Sequence, residues 1–123
     1  MMNAATAISG SGPAYIFDFL ESNSIDPNNI PEHTRHDIIR RLGNAAIRVG
    51  FNREDAIFLA ANTTNSSINL AKKIKISLAD LKKQVTSKGG TTEAALEVLH
   101  KGGSWEEAAE AAVKRAEQLS RKG

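Results

Sequence analysis

Apolar residues recur every three or four positions along most of this 123-residue chain, which is the spacing of one face of an α-helix. The clearest example precedes Gly50, where the spacing holds for Ile38, Leu42, Ala45, Ala46 and Val49. The only strand-like alternation, over residues 74–78, is too short and too isolated to pair with a second strand. The pattern therefore predicts an all-α fold of about six helices without a sheet.

Capping residues predict where these helices begin and end. Pro31 suits the entry to the helix that Gly50 ends, because proline lacks an N–H and glycine accepts a left-handed turn. Ser104 with Glu107 three residues later is the pattern of a capping box, and Asn52 and Ser77 are further N-caps. The predicted helices cover residues 14–20, 36–49, 53–74, 78–85 and 91–100, with a last one from 105 to about 119. A polar break is expected over residues 22–31, which include two prolines.

The long helix predicted for residues 53–74 has a buried face of unusually small residues. Its members are Ala56, Ala60, Thr63, Thr64, Ser67 and Ala71, with the larger Leu59 and Leu70 beside them. Such a face buries little area unless another backbone comes close to it. We expect a second copy to supply the same helix, which predicts a homodimer that buries well above ~2,000 Å².

Composition excludes several classes of function. The chain has no cysteine, which excludes disulfides, thiolate catalysis and cysteine-ligated metal sites. Its sixteen Lys and Arg against fourteen Asp and Glu give a net charge of +2, too even to indicate nucleic-acid binding. No apolar run approaches the ~20 residues that span a bilayer. With no signal-peptide pattern after Met1, we expect a cytoplasmic protein without a membrane or nucleic-acid partner.

Two glycine-containing segments lead directly into predicted helices. The first is Ser9, Gly10, Ser11, Gly12 and Pro13, and the second runs from Ser87 through Lys88, Gly89 and Gly90 to Thr91 and Thr92. Glycine lets backbone N–H groups turn toward a ligand, and a helix start adds unpaired donors and a positive dipole end. Each segment is thus either a cradle for a carboxylate, amide or phosphate or only a helix cap. Neither has the order of a dinucleotide or P-loop fingerprint.

Two groups of polar residues have alternative interpretations. His33 and His36 share a helix face, but no third ligand stands near them, so a solvated face is favoured over a metal site and we assign no metal. Residues 72–88 contain six lysines and one Asp, which form either a solvated face or a funnel for an anion near Ser87.

The two glycine segments, in this order and context, resemble the C-terminal helical domain of pyrroline-5-carboxylate reductase, the last enzyme of proline biosynthesis. The resemblance is carried by residues 7–15 and 85–92. The intervening and following segments are also similar to that family: residues 50–56, 59–61, 81–85, 95–99 and 102–103.

That resemblance implies a reaction and a set of site residues. NADPH, or NADH in some members, would give hydride to the imine carbon of pyrroline-5-carboxylate and form L-proline. Ser87, Gly89, Gly90 and Thr91 would receive the substrate carboxylate, and the Thr92 hydroxyl would bond the ring nitrogen as the catalytic residue. Residues 9–13 would lie on the nicotinamide side. The implied fold is a helical bundle similar to the C-terminal domain of 6-phosphogluconate dehydrogenase, interlocked as a dimer or an oligomer of dimers.

The resemblance also predicts how residues 1–123 are organised. They form a single helical dimerisation domain without the dinucleotide-binding domain of the family, so we expect them to bind no cofactor and to be inactive alone. Residues 22–40 look like an insertion into one long helix of the family. The alternative is a non-catalytic oligomerisation or interaction module that kept this scaffold and lost the chemistry.

Overall fold

The computed structural model describes residues 2–86 and 90–122 and contains helices but no strand within them. The elements are α1 (Met2–Ala5), a π-helix (Thr6–Gly10), α2 (Gly12–Ser22), α3 (Glu32–Arg48), α4 (Arg53–Lys73), α5 (Leu78–Thr86), α6 (Thr91–His100) and α7 (Trp105–Lys122). The predicted all-α fold is therefore confirmed, with α2–α7 as its six longer helices. No helix in the described part of the chain is both long and apolar enough to cross a membrane.

The predicted helix caps are confirmed by hydrogen bonds. The Asp55 backbone N–H donates to Asn52 Oδ1 at 2.8 Å at the start of α4. The Glu107 N–H donates to Ser104 Oγ at 3.1 Å, and the Ser104 N–H donates back to Glu107 Oε1 at 2.9 Å, which completes the capping box of α7. These side chains satisfy helix donors that have no partner within the helix.

The loop predicted for residues 9–13 is wrong, because residues 6–10 form a π-helix that runs on from α1. The Ser11 N–H donates to Thr6 O at 3.0 Å, five residues back. Pro13 has no N–H with which to continue an α-helical ladder, so the chain turns at Ser11 and begins α2 at Gly12. A π-helical turn of this kind is often found at functional sites.

The polar break after α2 is confirmed. It covers residues 23–31, and Ser24 adopts a positive φ of 55° there. Residues 32–40, in the second part of the predicted insertion, belong to α3. The insertion itself stays a prediction.

The helices pack around one main core. α6 and α7 form an antiparallel hairpin about the turn at Gly102 and Gly103, α3 packs on α4 and α7, and α5 packs on α2. Tyr15 and Trp105 meet edge to face in the core, with ring centroids 5.7 Å apart. This arrangement brings the start of α2 beside the start of α6.

The small-residue face of α4 is covered by the chain's own helices, which corrects the expectation that a second copy covers it. A β-carbon on Gly43 of α3 would lie 3.8 Å from Ala60 Cβ, and one on Gly12 would lie 3.1 Å from Thr63 Cγ2. Glycine on the facing elements, as well as small residues on α4, lets the backbones approach. All six small residues of this face are buried within one chain.

Large apolar residues of α3 and α4 remain exposed, as does Ile76 after α4. Phe58 is 71% exposed, Ile57 52% and Ile47 44%. Leu70, predicted to be buried, is 38% exposed. We call Ile47, Ile57 and Phe58 the apolar patch.

The two close glycine contacts predict opposite effects of the same substitution. Gly12→Ala should destabilise the fold by about 1 kcal/mol, because its β-carbon presses on the buried Thr63 methyl. Gly43→Ala should stabilise it by about 0.5–1 kcal/mol, because its β-carbon finds ordinary contact and alanine favours the helix interior. Urea unfolding of both variants measures this, and equal effects would contradict the packing described.

Candidate functional site

The two predicted glycine segments meet at the side chains of Ser11 and Thr92. Ser11 Oγ and Thr92 Oγ1 are 2.9 Å apart and share a hydrogen bond, although 81 positions separate them in the sequence. Both residues are buried, with exposed fractions of 1% and 4%. The contact joins the N-terminal ends of α2 and α6, where unpaired backbone donors collect.

Tyr15 lies one turn after Ser11 and borders the same region. Its hydroxyl donates to Ala7 O at 3.1 Å. Burial raises the pKa of Tyr15 far above its usual value, and the neighbouring Ser11 side chain opposes this less strongly. Tyr15 therefore stays protonated and holds the π-helix against α2 through a neutral hydrogen bond.

Gly90 caps α6 with a left-handed backbone, φ +80°, that favours glycine. The guanidinium of Arg115 lies against it, because a β-carbon on Gly90 would be 3.3 Å from Arg115 Nε. A fixed positive charge therefore stands beside the N-terminal end of α6, which itself favours anions.

The place of Arg115 beside Gly90 was not predicted from the sequence. A signal for it does exist in the sequence. In an antiparallel helix pair, residues equally far from the turn face each other, and Gly90 and Arg115 are equally far from the turn at Gly102 and Gly103. Pairing the last two predicted helices about this turn would have brought the two residues together.

Other predicted site residues lie apart or outside the described residues. Ser9 and Gly10 are exposed at the end of the π-helix, and Ser9 Oγ donates to Ala5 O at 2.8 Å. Gly12 is buried against Thr63, while Pro13 is half-buried. In the second segment, Thr91 is buried, whereas Ser87, Lys88 and Gly89 lie outside the described residues.

One lysine of the 72–88 run has a role that neither interpretation foresaw. Lys82 is largely buried, and its Nζ donates to Asp18 Oδ1 at 2.9 Å and to Glu21 Oε1 at 2.6 Å. His100 Nε2 also lies 3.0 Å from Asp18 Oδ1. The four other lysines of the run that the structure describes, Lys72, Lys73, Lys75 and Lys83, are exposed, as a solvated face requires.

The histidines of α3 form no metal-ligating group. His36 Nε2 lies 3.6 Å from Glu32 Oε1 on an exposed surface. Within residues 2–86 and 90–122, no group of three or more His, Asp or Glu side chains is arranged to hold a metal ion.

Comparison with known proteins decides the family. A family model described as "Pyrroline-5-carboxylate reductase dimerisation" matches residues 37–122, from the first turns of α3 to the end of α7. The chain belongs to this family.

Curated pyrroline-5-carboxylate reductases match the chain along nearly its whole length, including the residues before α3. The Arabidopsis thaliana protein is 34% identical over 98% of this chain and 38% of its own length. The Synechocystis protein is 33% identical over 99% of this chain and 40% of its own length. The Pseudomonas aeruginosa protein is 31% identical over 97% of this chain and 36% of its own length.

The chain thus spans little more than a third of the length of these curated relatives. No solved structure gives a significant match to it.

In this pyrroline-5-carboxylate reductase dimerisation domain, the site offers hydrogen bonding and positive potential. Thr92 supplies a hydroxyl that can donate or accept, and the start of α6 supplies backbone N–H groups. Among the residues that the structure describes, no carboxylate or imidazole hydrogen-bonds to the Ser11–Thr92 pair. The arrangement suits binding and orienting a small carboxylate rather than proton transfer by a strong acid or base.

The buried hydrogen bond predicts non-additive substitutions at its two ends. Ser11→Ala should destabilise the fold by about 1–3 kcal/mol, because it leaves the buried Thr92 hydroxyl without its Ser11 partner. Thr92→Val should cost less, because the Ser11 hydroxyl keeps the Tyr15 side chain beside it. The double variant should lose less than the sum, since no orphaned hydroxyl remains. Urea unfolding of the four proteins measures the coupling.

Ser9→Ala is the control for these variants, because its hydrogen bond is exposed and its loss should change stability by less than about 0.5 kcal/mol. Strictly additive effects of Ser11→Ala and Thr92→Val would contradict a hydrogen bond between them.

Proposed function

We propose that this chain is the dimerisation and substrate-binding part of a pyrroline-5-carboxylate reductase, which reduces 1-pyrroline-5-carboxylate to L-proline in proline biosynthesis. The observation that supports this most strongly is the 2.9 Å contact of Ser11 with Thr92. It unites the two segments that carry the family resemblance, beside a helix start that favours anions. We place this activity in the cytoplasm.

The substrate roles follow from this geometry and from the family. We propose that the backbone around Gly90 and Thr91, together with Ser87 and Gly89, receives the substrate carboxylate. The guanidinium of Arg115 adds positive potential at the same end of α6. The Thr92 hydroxyl bonds the ring nitrogen and orients the imine carbon toward the hydride donor.

Residues 9–13 are the candidates for facing the nicotinamide of NADPH or NADH, which supplies hydride when bound. Ser9 and Gly10 are exposed next to the buried Ser11. A β-carbon on Gly10 would have only Thr6 of its own segment within 4 Å, so this backbone is open to a flat ring. The described elements contain no dinucleotide-binding sheet, and we propose that most of the cofactor is held by residues other than these 123.

L-proline binding tests this function directly. We expect L-proline to shift the backbone amide signals of Ser11 and residues 90–92 in NMR titration, with an affinity no tighter than about millimolar, because much of the ligand stays in water. Thr92→Val should abolish the shifts, and Thr92→Ser should restore them, because serine keeps the hydroxyl.

L-prolinamide, which lacks the carboxylate, is the matched control ligand and should bind more weakly than L-proline. Shifts confined to other helices, or none at high L-proline concentration, would overturn the proposal and favour a non-catalytic oligomerisation module.

The family's description supports homo-oligomerisation of this chain. Because the small-residue face of α4 is covered internally, we propose that a homodimer forms through the apolar patch instead. Phe58 has the largest exposed fraction of the three patch residues, and the patch lies within the residues that the family model matches. A groove of about 460 Å³ beside it, lined by Ile39, Gly43 and Ile57, can receive side chains from the second copy.

Phe58→Asp should therefore dissociate the homodimer, because it places a charge within the proposed contact. Ala79→Asp, at an exposed position at the start of α5, should leave the homodimer intact. Sedimentation equilibrium at micromolar concentration distinguishes the dimer from the 13.2 kDa monomer. A wild-type monomer, or a Phe58→Asp dimer, would contradict this interface.

A further inference from the structure

Two polar contacts join α2 to α6, and they lie at matching intervals. Ser11 meets Thr92 at the N-terminal ends of the two helices, and Asp18 meets His100 further along both, with Oδ1 3.0 Å from Nε2. The intervals are seven residues on α2 and eight on α6, roughly 10–12 Å of helix. The helices thus run in the same direction, and the second contact sets the register in which the first can form.

Asp18 is the centre of this second contact. Its side chain is only 13% exposed, and it accepts from Lys82 of α5 as well as facing His100. Burial alone would raise the pKa of Asp18, but hydrogen bonds from Lys82 and His100 outweigh it and hold the pKa below its usual value. The carboxylate is therefore ionised and links three helices at one oxygen atom.

The helices that Asp18 links are the two that flank the proposed substrate segment. α5 ends at Thr86 and packs mainly on α2, whereas α6 begins at Thr91 and packs mainly on α7. Direct packing of α5 on α6 is slight. Contacts with other helices therefore help to fix the distance between the end of α5 and the start of α6.

We propose that Asp18 is a positioning residue for the site: by binding Lys82 of α5 and His100 of α6, it fixes the register that brings Thr92 to Ser11. This role rests on the proposed function. A residue that does not contact the substrate would determine where the Thr92 hydroxyl lies. Asp18 itself touches neither residue of that pair.

The surroundings of Asp18 make this role separable from simple stabilisation. Lys82 keeps Glu21 as a partner at 2.6 Å when the Asp18 charge is removed, so no buried charge is left alone. His100 is 56% exposed, so its truncation opens no cavity in the core. Substitutions at either position should therefore leave a folded protein with an altered register.

The test compares variants of the full chain by NMR before and after L-proline is added. Asp18→Asn and His100→Ala should each shift the Thr92 methyl and Ser11 amide signals of the free protein. They should also weaken L-proline binding by roughly two- to thirtyfold, the range of such indirect couplings. His100→Gln, whose amide can still donate to Asp18, should restore both readouts.

Lys101→Gln is the matched control, because it removes an exposed ion pair at the C-terminal end of α6 that does not involve α2. In that pair Lys101 Nζ donates to Glu97 Oε1 at 3.1 Å. It should change neither signal. Unchanged Thr92 and Ser11 signals in Asp18→Asn and His100→Ala, even with reduced stability, would overturn the positioning role. If Asp18→Asn fails to fold, the signals of His100→Ala and of His100→Gln test the role instead. Failure of the wild-type chain to bind L-proline would overturn the proposed function alone, because the Thr92 and Ser11 signals of the free protein still test the positioning role of Asp18.

Discussion

The close approach of α4 to its neighbours determines where the other helices can lie. Thr63 packs against Gly12 at the start of α2, and Ala60 packs against Gly43 in the middle of α3. Protein interiors are packed so tightly that a single added carbon at such a point changes the stability of the fold. Because Ser11 precedes Gly12, the contact with Thr63 also fixes the backbone that carries the Ser11 hydroxyl. The site is thus a direct consequence of glycine-mediated helix packing.

Much of the fold could be predicted from the sequence because helices are specified locally. The caps at Asn52 and Ser104 and the periodicity of α3 each depend on residues within a few positions of one another. The π-helix could not be predicted in this way, since the run of Ser and Gly that ends and follows it is equally typical of a loop. Its formation depends on α1 before it and on Pro13 after it.

The candidate site could be predicted only in part. The resemblance pointed to Ser11 and Thr92 separately, and the structure joins them. The Asp18–Lys82–His100 contacts span more than 60 positions, and nothing in the spacing of single charged residues indicates such partners. The small-residue face of α4 was predicted correctly as buried, but the prediction that a second copy covers it was wrong. Periodicity shows which face is buried and not which chain covers it.

We propose that Thr92, placed by Ser11, binds the ring nitrogen of a proline-like ligand at the start of α6. A crystal structure of the chain with L-proline would measure the distances on which this depends. We expect the ring nitrogen within hydrogen-bond distance of Thr92 Oγ1 and the carboxylate on the backbone N–H groups at the start of α6, with Ser11 still beside Thr92. L-proline bound elsewhere, or a Thr92 side chain turned away from the ligand, would contradict it.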